Sequence, residues 1–275
     1  MPIFATMFIR KTLFLTLVLP ILLLSSCSKY QKLLKGTDNK AKYDAGVKYY
    51  QNKDYVRAQA LFEQLMSFDR GMNRFEKTLY YYAYSYYGQE NYEEASYYFQ
   101  SFVDDFPNSA FAEECLFMEA FCYYMDSPGP NLDQTNTHKA IDELQLFANK
   151  YPKSPKVQQC NDYIDILREK LQTKDMHSAQ IYFDREEYKA AIVSYKNLIK
   201  EYPDTKYKEI ALFTILKSNY LLAKNSIDSK KAERYQNTSD SYKVFIDAFP
   251  ASKFIKEAES YYESSVEFVK KNQKT

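Results

Sequence analysis

Tryptophan is absent from this chain of 275 residues, and glycine occurs only 5 times. Glycine makes up about 7% of an average protein, and turn-rich all-β folds depend on it where the backbone needs a positive φ. The shortage therefore argues against an all-β fold. Basic and acidic residues number 37 and 36, so the chain also lacks the net positive charge that marks many nucleic-acid-binding proteins.

Residues that could form metal sites or disulfides are few. The two histidines, His138 and His177, do not stand at zinc-ligand spacing with any cysteine pair. Cys115 and Cys122 lie in what reads as one helix, which separates their Cα atoms by about 10 Å, beyond the reach of a disulfide. We predict that both, like Cys160, are small buried hydrophobic residues, and that the chain holds no metal.

Catalytic motifs are missing as well. The sequence has no glycine-rich phosphate loop, no nucleophile elbow and no histidine beside a plausible nucleophile. Paired acids such as Glu93–Glu94 and Glu113–Glu114 point in different directions on a helix, because adjacent helical residues do not share a face. We therefore expect these pairs on solvated helix surfaces, and we expect no enzymatic activity and no cofactor.

A positively charged start and a short apolar run precede the first cysteine. Arg10 and Lys11 lead into a predominantly apolar run at residues 12–24. A membrane-spanning helix needs about 20 residues, so this shorter run suits the core of a signal peptide. No second apolar run follows, and residues 28–42 are polar and basic. The mature chain is therefore predicted to be anchored by lipid.

The sequence LSSC at residues 24–27 resembles a bacterial lipobox, in which the cysteine is lipidated and becomes the new N-terminus. It predicts a signal peptide at residues 1–26 and a lipidated polar linker at residues 27–38, with the lipid on Cys27 as the only attached group. Ser28 stands where an aspartate retains lipoproteins at the inner membrane in the best-studied bacteria. The expected location is therefore the outer membrane, facing the periplasm. An ordinary secretory signal that happens to contain a cysteine is the alternative.

A helical pattern recurs along the rest of the chain. Residues 54–62, 91–99 and 187–195 each place one aromatic residue three positions before an alanine and another four positions after it. These spacings put the three side chains on one helix face, where the alanine lets a neighbouring helix approach. The small residue of each repeat is Ala58, Ala95, Ala140, Ala191 or Thr238, and successive ones are separated by 37, 45, 51 and 47 residues.

A second marker closes four of the repeats. It reads aromatic, Pro, any residue, then Ser or Thr, and it occurs at residues 106–109, 151–154, 202–205 and 249–252. Proline disfavours helical geometry in the residue before it, so the preceding helix is predicted to end there. The Ser or Thr is placed to cap the next helix. The first repeat has Arg70 in place of this proline.

These signals predict an all-α fold, an α-solenoid of about five helix pairs over residues 39–275. Two repeats carry insertions: residues 127–137 are predicted to form a loop because of their prolines and glycine, and residues 224–239 could extend a helix. The predicted helices are 39–51, 55–67, 74–88, 92–105, 110–125, 138–150, 155–183, 187–201, 206–224, 232–248 and 253–270.

The repeats resemble the tetratricopeptide (TPR) family, whose unit is a helix pair of about 34 residues. The matching positions are Ala83, Tyr86, Tyr92, Ala95, Phe99 and Pro107 in the second copy and Ala179, Tyr182, Tyr188, Ala191, Tyr195 and Pro203 in the fourth. With the lipobox cysteine and the segments 30–50, 80–109, 131–147 and 202–209, the chain is similar to the BamD family of TPR lipoproteins.

This resemblance implies a role. BamD proteins sit on the periplasmic face of the outer membrane in the β-barrel assembly (BAM) complex, together with other BAM subunits. They bind the periplasmic domains of BamA and help to receive unfolded outer-membrane proteins. In the family the N-terminal repeats are associated with substrate and the C-terminal repeats with BamA. We therefore expect a substrate-facing half at residues 39–154, a partner-docking half at residues 155–275, and no nucleic-acid partner.

The first helix of each early pair is expected to supply the substrate-binding surface. Nascent barrel strands alternate apolar and polar residues and often end in an aromatic one, which suits a groove lined by tyrosine rings and hydroxyls. The alternative is that these rings only pack between repeats. The expected inward-facing residues are Tyr43, Val47 and Tyr50 in copy one, Tyr80, Tyr84 and Tyr87 in copy two, and Phe117, Phe121 and Tyr124 in copy three.

Two other functions remain open at this point. A TPR lipoprotein could instead serve as a scaffold that coordinates cell-wall (peptidoglycan) enzymes. A nutrient-binding lipoprotein of the glycan-uptake kind also uses TPR-like helices, but such chains are usually much longer and carry tryptophan-rich platforms. The absence of tryptophan counts against that third possibility.

Overall fold

The computed structural model describes residues 29–272, and all regular structure in that range is helical. A short helical segment at residues 29–35 precedes the first long helix. The helices that follow are α1 (Asn39–Gln51), α2 (Tyr55–Asp69), α3 (Phe75–Tyr87), α4 (Tyr92–Asp105), α5 (Ala112–Met125), α6 (Thr135–Lys150), α7 (Val157–Asp184), α8 (Tyr188–Glu201), α9 (Lys208–Lys224), α10 (Asp228–Ala248) and α11 (Ile255–Asn272).

The predicted fold class, an all-α array of TPR-type helix pairs, is confirmed. The charged insertion is helical, since α10 begins at Asp228. The proline-containing insertion is shorter than predicted, because α6 already begins at Thr135. Asp133 explains the early start: its Oδ1 accepts the Thr135 N–H at 2.9 Å and so satisfies a donor at the helix entry.

The described chain forms two compact units. The first comprises residues up to 127 together with 136–161, and the second comprises 128–135 together with residues from 162 onward. In the first unit the helices α1 to α5 pack in chain order, each against its neighbour, and in the second unit the helices α8 to α11 do the same. The functional division expected at residue 154 stays a prediction.

The aromatic–Pro–x–Ser/Thr segments fold in the same way all four times. In the first, the Phe106 N–H bonds to the Phe102 carbonyl at 2.8 Å and the Ser109 N–H bonds to the Phe106 carbonyl at 3.0 Å. Ser109 Oγ then accepts the Phe111 N–H at 3.0 Å. The hydroxyls of the other three segments, on Ser154, Thr205 and Ser252, accept the N–H two residues ahead in the same manner. The hydroxyl thus caps the turn that leads into the helix, three residues before the helix itself begins.

The short turns inside three of the helix pairs also share one geometry. Lys53, Glu90 and Glu186 adopt φ values of 61°, 60° and 59°. At the end of α3, the Glu90 N–H bonds to the Tyr87 carbonyl at 3.0 Å, and the next N–H bonds to the Tyr86 carbonyl at 3.1 Å. These paired bonds satisfy the last carbonyls of the helix, which is the usual purpose of a left-handed residue at a helix end.

The small residues of the repeat are core residues. Ala58, Ala95, Ala140, Ala191 and Thr238 are all 0% exposed. Ala58 and Ala191 belong to hydrophobic core clusters of their units. The three cysteines of the described range are also buried and free, and burial raises the pKa of Cys160 to about 11. Their predicted role as small hydrophobic residues is confirmed.

The first repeat, which lacks the closing proline, uses an ion pair instead. Asp69 is fully buried at the end of α2 and accepts hydrogen bonds from Arg74 Nε at 2.9 Å and Nη2 at 2.5 Å. Thr78 Oγ1 donates to the same carboxylate at 2.7 Å. Burial acts to raise the pKa of Asp69, but the bonds from Arg74 and Thr78 outweigh it and hold the pKa below its ordinary value.

Candidate functional site

A continuous row of aromatic rings crosses α1, α3 and α5 in the first unit. Ring centroids are 6.4 Å apart from Tyr50 to Tyr84, 6.3 Å from Tyr84 to Tyr87 and 6.3 Å from Tyr87 to Phe121. Tyr124 continues the row, stacked on Phe121 at 5.7 Å. These rings are half-buried, so they are packed yet still reach the surface. With Tyr80, whose ring lies 4.7 Å from that of Tyr84, they are called the aromatic face here.

Three of the nine expected residues lie toward the core and not on the aromatic face. Tyr43 packs edge-on against the core residue Phe62 at 6.1 Å, and Val47 packs against the same core cluster. Phe117 stacks on Phe121 at 5.9 Å, but it is only 5% exposed and also contacts Phe147 at 5.6 Å. All three lie on first helices, as expected, but the structure places them toward the core of the unit.

The tyrosine-rich sequence of α3 divides between the two sides of the helix. Tyr82 is 3% exposed, and its hydroxyl lies 3.2 Å from that of Tyr86, on the side that packs against Tyr98. Tyr80 and Tyr84 lie on the other side, toward α5. A period of 3.6 residues separates these sets. The aromatic composition alone does not reveal which set is core, whereas the repeat alignment predicts that Tyr80 and Tyr84 face inward.

A carboxylate lies at the centre of the aromatic face. Glu114, in the first turn of α5, accepts hydrogen bonds on Oε1 from the Tyr84 hydroxyl at 2.5 Å and the Tyr80 hydroxyl at 3.3 Å. The side chain is half-buried. The expectation that Glu114 belongs to a solvated surface is therefore wrong, because two tyrosines of the preceding repeat bind it.

A sequence signal for Glu114 does exist. It precedes Phe117 by three residues and Phe121 by seven, and that spacing places all three on one stripe of α5. The pairing of Glu114 with its neighbour Glu113 suggests a solvated surface. The spacing from Glu114 to Phe117 and Phe121 instead places its carboxylate on the aromatic side of the helix.

The environment raises the pKa of three hydroxyls of this face, those of Tyr50, Tyr80 and Tyr84. Burial raises the pKa of Tyr50 to about 12, and the nearby Tyr55, Tyr81 and Glu114 add to the effect. Burial together with the charge of Glu114 raises the pKa of Tyr80 and of Tyr84 well above the ordinary tyrosine value. The tyrosines therefore act at physiological pH as neutral groups that donate to Glu114.

A groove with a mainly apolar lining marks the second unit. It has a volume of about 540 Å³ and lies between α8 and α10, with α9 at its base. Val244, which is 55% exposed, forms part of its rim on α10. The remaining lining residues are Ile192, Lys196, Ile199, Leu212, Ile215, Asn219, Asn237, Asp240 and Ser241. Sequence reasoning did not identify this groove, because its residues come from three helices.

The predicted lipidation site, Cys27, lies outside the described residues, as does the predicted signal peptide at residues 1–26. Within residues 29–272, no helix has both the length and the apolar character that crossing a membrane requires.

Comparisons with known proteins agree with the resemblance seen in the sequence. Outer membrane protein assembly factor BamD of Rickettsia prowazekii (strain Madrid E) is 24% identical over 180 residues, which cover 66% of this chain and 72% of the relative. A putative outer membrane protein assembly factor BamD of Aquifex aeolicus (strain VF5) is 25% identical over 210 residues, which cover 76% of this chain and 69% of the relative.

Among solved structures, the chain aligns with the TPR2AB domain of yeast Sti1 in complex with pHSP90. The alignment covers 84% of this chain and 99% of the chain in that structure, at 12% identity. Its TM-score is 0.38, too low to support an argument. The family model described as YfiO, outer membrane lipoprotein, matches residues 35–236. Because that match covers most of the chain, the protein belongs to the YfiO family of outer membrane lipoproteins.

Proposed function

We propose that this chain is a non-enzymatic assembly factor for outer-membrane proteins. It is held at the outer membrane by a lipid on Cys27, binds unfolded outer-membrane proteins through the aromatic face, and binds the periplasmic domains of BamA through the second unit. The two relatives named as BamD assembly factors support this role. The aromatic face is the observation that carries the substrate-binding part.

The chemistry of the aromatic face suits an extended, unfolded segment. Strands of membrane β-barrels alternate apolar and polar residues and are rich in aromatic ones near the membrane interfaces. Aromatic pairs contribute about 0.5–1.5 kcal/mol beyond the area they bury. The rings of Tyr50, Tyr84 and Phe121 are already fixed by contacts with their neighbours, so binding costs little side-chain entropy.

The groove of the second unit suits a folded partner. Its apolar base includes Leu212 and Ile215, and its polar rim includes Lys196 and Asp240. An apolar centre with a polar rim is typical of protein–protein interfaces. We assign this groove to a periplasmic domain of BamA, in agreement with the expectation that the C-terminal repeats dock that partner.

Crosslinking tests the substrate-binding part. A photoactivatable phenylalanine analogue replaces Tyr84 on the aromatic face, and a matched control replaces Tyr97 of α4, which is 63% exposed and lies on a second helix of a pair. The probe at Tyr84 is expected to capture unfolded outer-membrane protein during assembly, whereas the probe at Tyr97 is not. Capture at Tyr97 alone would contradict the assignment of the face.

Charge substitution tests the partner-binding part. Val244→Asp places a charge in the groove, whereas Val193→Asp places one on α8 at a residue that is equally exposed, 57%, but does not line the groove. We expect Val244→Asp to lose BamA on affinity purification from membranes and Val193→Asp to retain it. If BamA never co-purifies and peptidoglycan enzymes do, the cell-wall scaffold is the correct function.

A further inference from the structure

The carboxylate of Glu114 carries a charge that the protein does not balance locally. Within residues 29–272, no lysine or arginine nitrogen forms an ion pair with it at 4.0 Å or less. Among the described residues, the hydrogen bonds to this carboxylate come only from neutral hydroxyls, those of Tyr80 and Tyr84. A half-buried carboxylate is costly to desolvate and is usually paired with a cation. The carboxylate of Glu114 instead lies among aromatic rings, beside Tyr80 and Tyr84.

The direction of these hydrogen bonds decides what else the site can bind. A tyrosine hydroxyl has one hydrogen, and an ionised carboxylate can only accept. Because Tyr80 and Tyr84 donate their hydrogens to Glu114 Oε1, the groups that remain for a ligand are lone pairs on the two phenolic oxygens and on the carboxylate. The hydroxyls of Tyr80 and Tyr84 and the carboxylate of Glu114 therefore present acceptors to a ligand.

The rings around the carboxylate favour the same kind of ligand. Tyr50 is close enough for Glu114 to raise its pKa, and Phe111 lies 4.8 Å from the Tyr80 ring. The face of an aromatic ring attracts a cation within about 6 Å of its centre, and the methylene stem of a lysine or arginine packs well on such a ring. A carboxylate, two acceptor oxygens and several rings together match a guanidinium or ammonium group.

We propose that the aromatic face selects segments of unfolded outer-membrane proteins in which an arginine or lysine stands beside aromatic residues, with the cationic group bound by Glu114. This inference rests on the proposed function, since it names the ligand chemistry of the same face. It adds a specificity: an acidic side chain or a terminal carboxylate at this position is disfavoured, because it would face the carboxylate of Glu114.

Peptide binding to the purified full-length protein tests the proposal. The probe is a fluorescein-labelled peptide that alternates phenylalanine with arginine, and its matched forms carry citrulline or glutamate in place of arginine. Citrulline keeps the shape and removes the charge. We expect the arginine peptide to bind about tenfold more tightly than the citrulline peptide, as a cation–π and ionic contact of moderate burial implies, and the glutamate peptide to bind most weakly.

Two variants assign the preference to one residue. Glu114→Gln is expected to bind the arginine and citrulline peptides equally, because the charge is gone and the shape is kept. Glu93→Gln removes the same charge from an exposed position on α4 and is expected to retain the preference. If Glu114→Gln loses its helical circular-dichroism signal, the three peptides on the unaltered protein still decide the question.

The outcomes separate the inference from the function on which it rests. Equal binding of the arginine and citrulline peptides to the unaltered protein overturns the proposed specificity and leaves substrate binding intact. A preference that persists in Glu114→Gln also overturns it, since the cation is then bound elsewhere. Failure of every peptide to bind overturns both the specificity and the assignment of the aromatic face.

Discussion

Glu119 allows a quantitative test of the packing in the first unit. Its side chain lies on α5 and is only 3% exposed, and its Oε2 has no hydrogen-bond partner among the described residues. The carboxyl group loses almost all contact with water. That loss, together with the nearby Glu143, raises the pKa of Glu119 from 4.5 to about 8, against a smaller opposing effect of Lys139. We consider the change Glu119→Gln, which leaves a neutral group of the same shape.

The sign and size of the effect follow from proton linkage. The folded protein holds the Glu119 proton more tightly than the unfolded chain does, so unfolding releases that proton at pH values between the two pKa values. The free energy of unfolding therefore falls by about 1.4 kcal/mol for each pH unit in this window. From about pH 5 to about pH 7.5, Glu119 alone lowers the free energy of unfolding by about 3 kcal/mol. Glu119→Gln removes this pH-dependent loss of stability.

The assay is urea denaturation of both proteins at several pH values, followed by far-ultraviolet circular dichroism. Other titrating groups, including Asp69, affect both proteins equally, so the difference between the two isolates Glu119. Near pH 5 the variant and the unaltered protein are expected to be about equally stable, because both are then neutral at this position. Near pH 7.5 the variant is expected to be more stable by about 3 kcal/mol.

A difference that stays within about 0.5 kcal/mol across this range would refute the reasoning, since it would mean that the carboxyl group is solvated or paired in the folded state. Glu93→Gln, at an exposed residue, is the control and is expected to show no trend with pH. Glu119→Met gives a second comparison, because it removes both oxygens and so excludes an effect of the new amide donors.

Three further changes test other contacts. Asp69→Ala is expected to lower the free energy of unfolding, measured by urea denaturation, by about 3 kcal/mol, because Arg74 loses its partner. In the unaltered protein the lowered pKa of Asp69 contributes stability above the ordinary pKa of the group, and this stability is lost as the pH falls. Equal acid sensitivity of the two proteins would contradict this. Gly88→Ala places a Cβ only 2.5 Å from the Tyr55 ring and is expected to lower the free energy of unfolding by about 1–3 kcal/mol. In a Tyr55→Ala background that cost should largely disappear. If the stability losses of the two substitutions simply add, the clash is not the cause. Glu90→Gly relieves a φ of 60° and is expected to raise the melting temperature, with a gain of up to about 1 kcal/mol; a lower melting temperature would show that the side chain itself contributes more than the strain costs.

The helices and their ends could be predicted from the sequence because their signals are local. The aromatic–Pro–x–Ser/Thr segments act through proline sterics and a hydroxyl bond that spans two residues. The buried alanines, such as Ala58 and Ala95, follow from the spacing of three and four on one helix. Only the starts of α10 and α6 differ noticeably from the prediction, and no aromatic–Pro–x–Ser/Thr segment precedes either of them.

The tertiary structure alone decides how the rings and carboxylates are used. The repeat register predicts that Tyr84 faces inward, but the aromatic composition of the helix does not show that Tyr82 is buried; its contacts with Tyr98 arise only in the folded chain. Glu114 meets Tyr84 across 30 residues of sequence, and Glu119 owes its raised pKa to burial against helices on either side. Local sequence patterns therefore determined where each helix begins and ends and which alanines are buried. The environment of each charged or aromatic side chain depends instead on which repeat is packed against it.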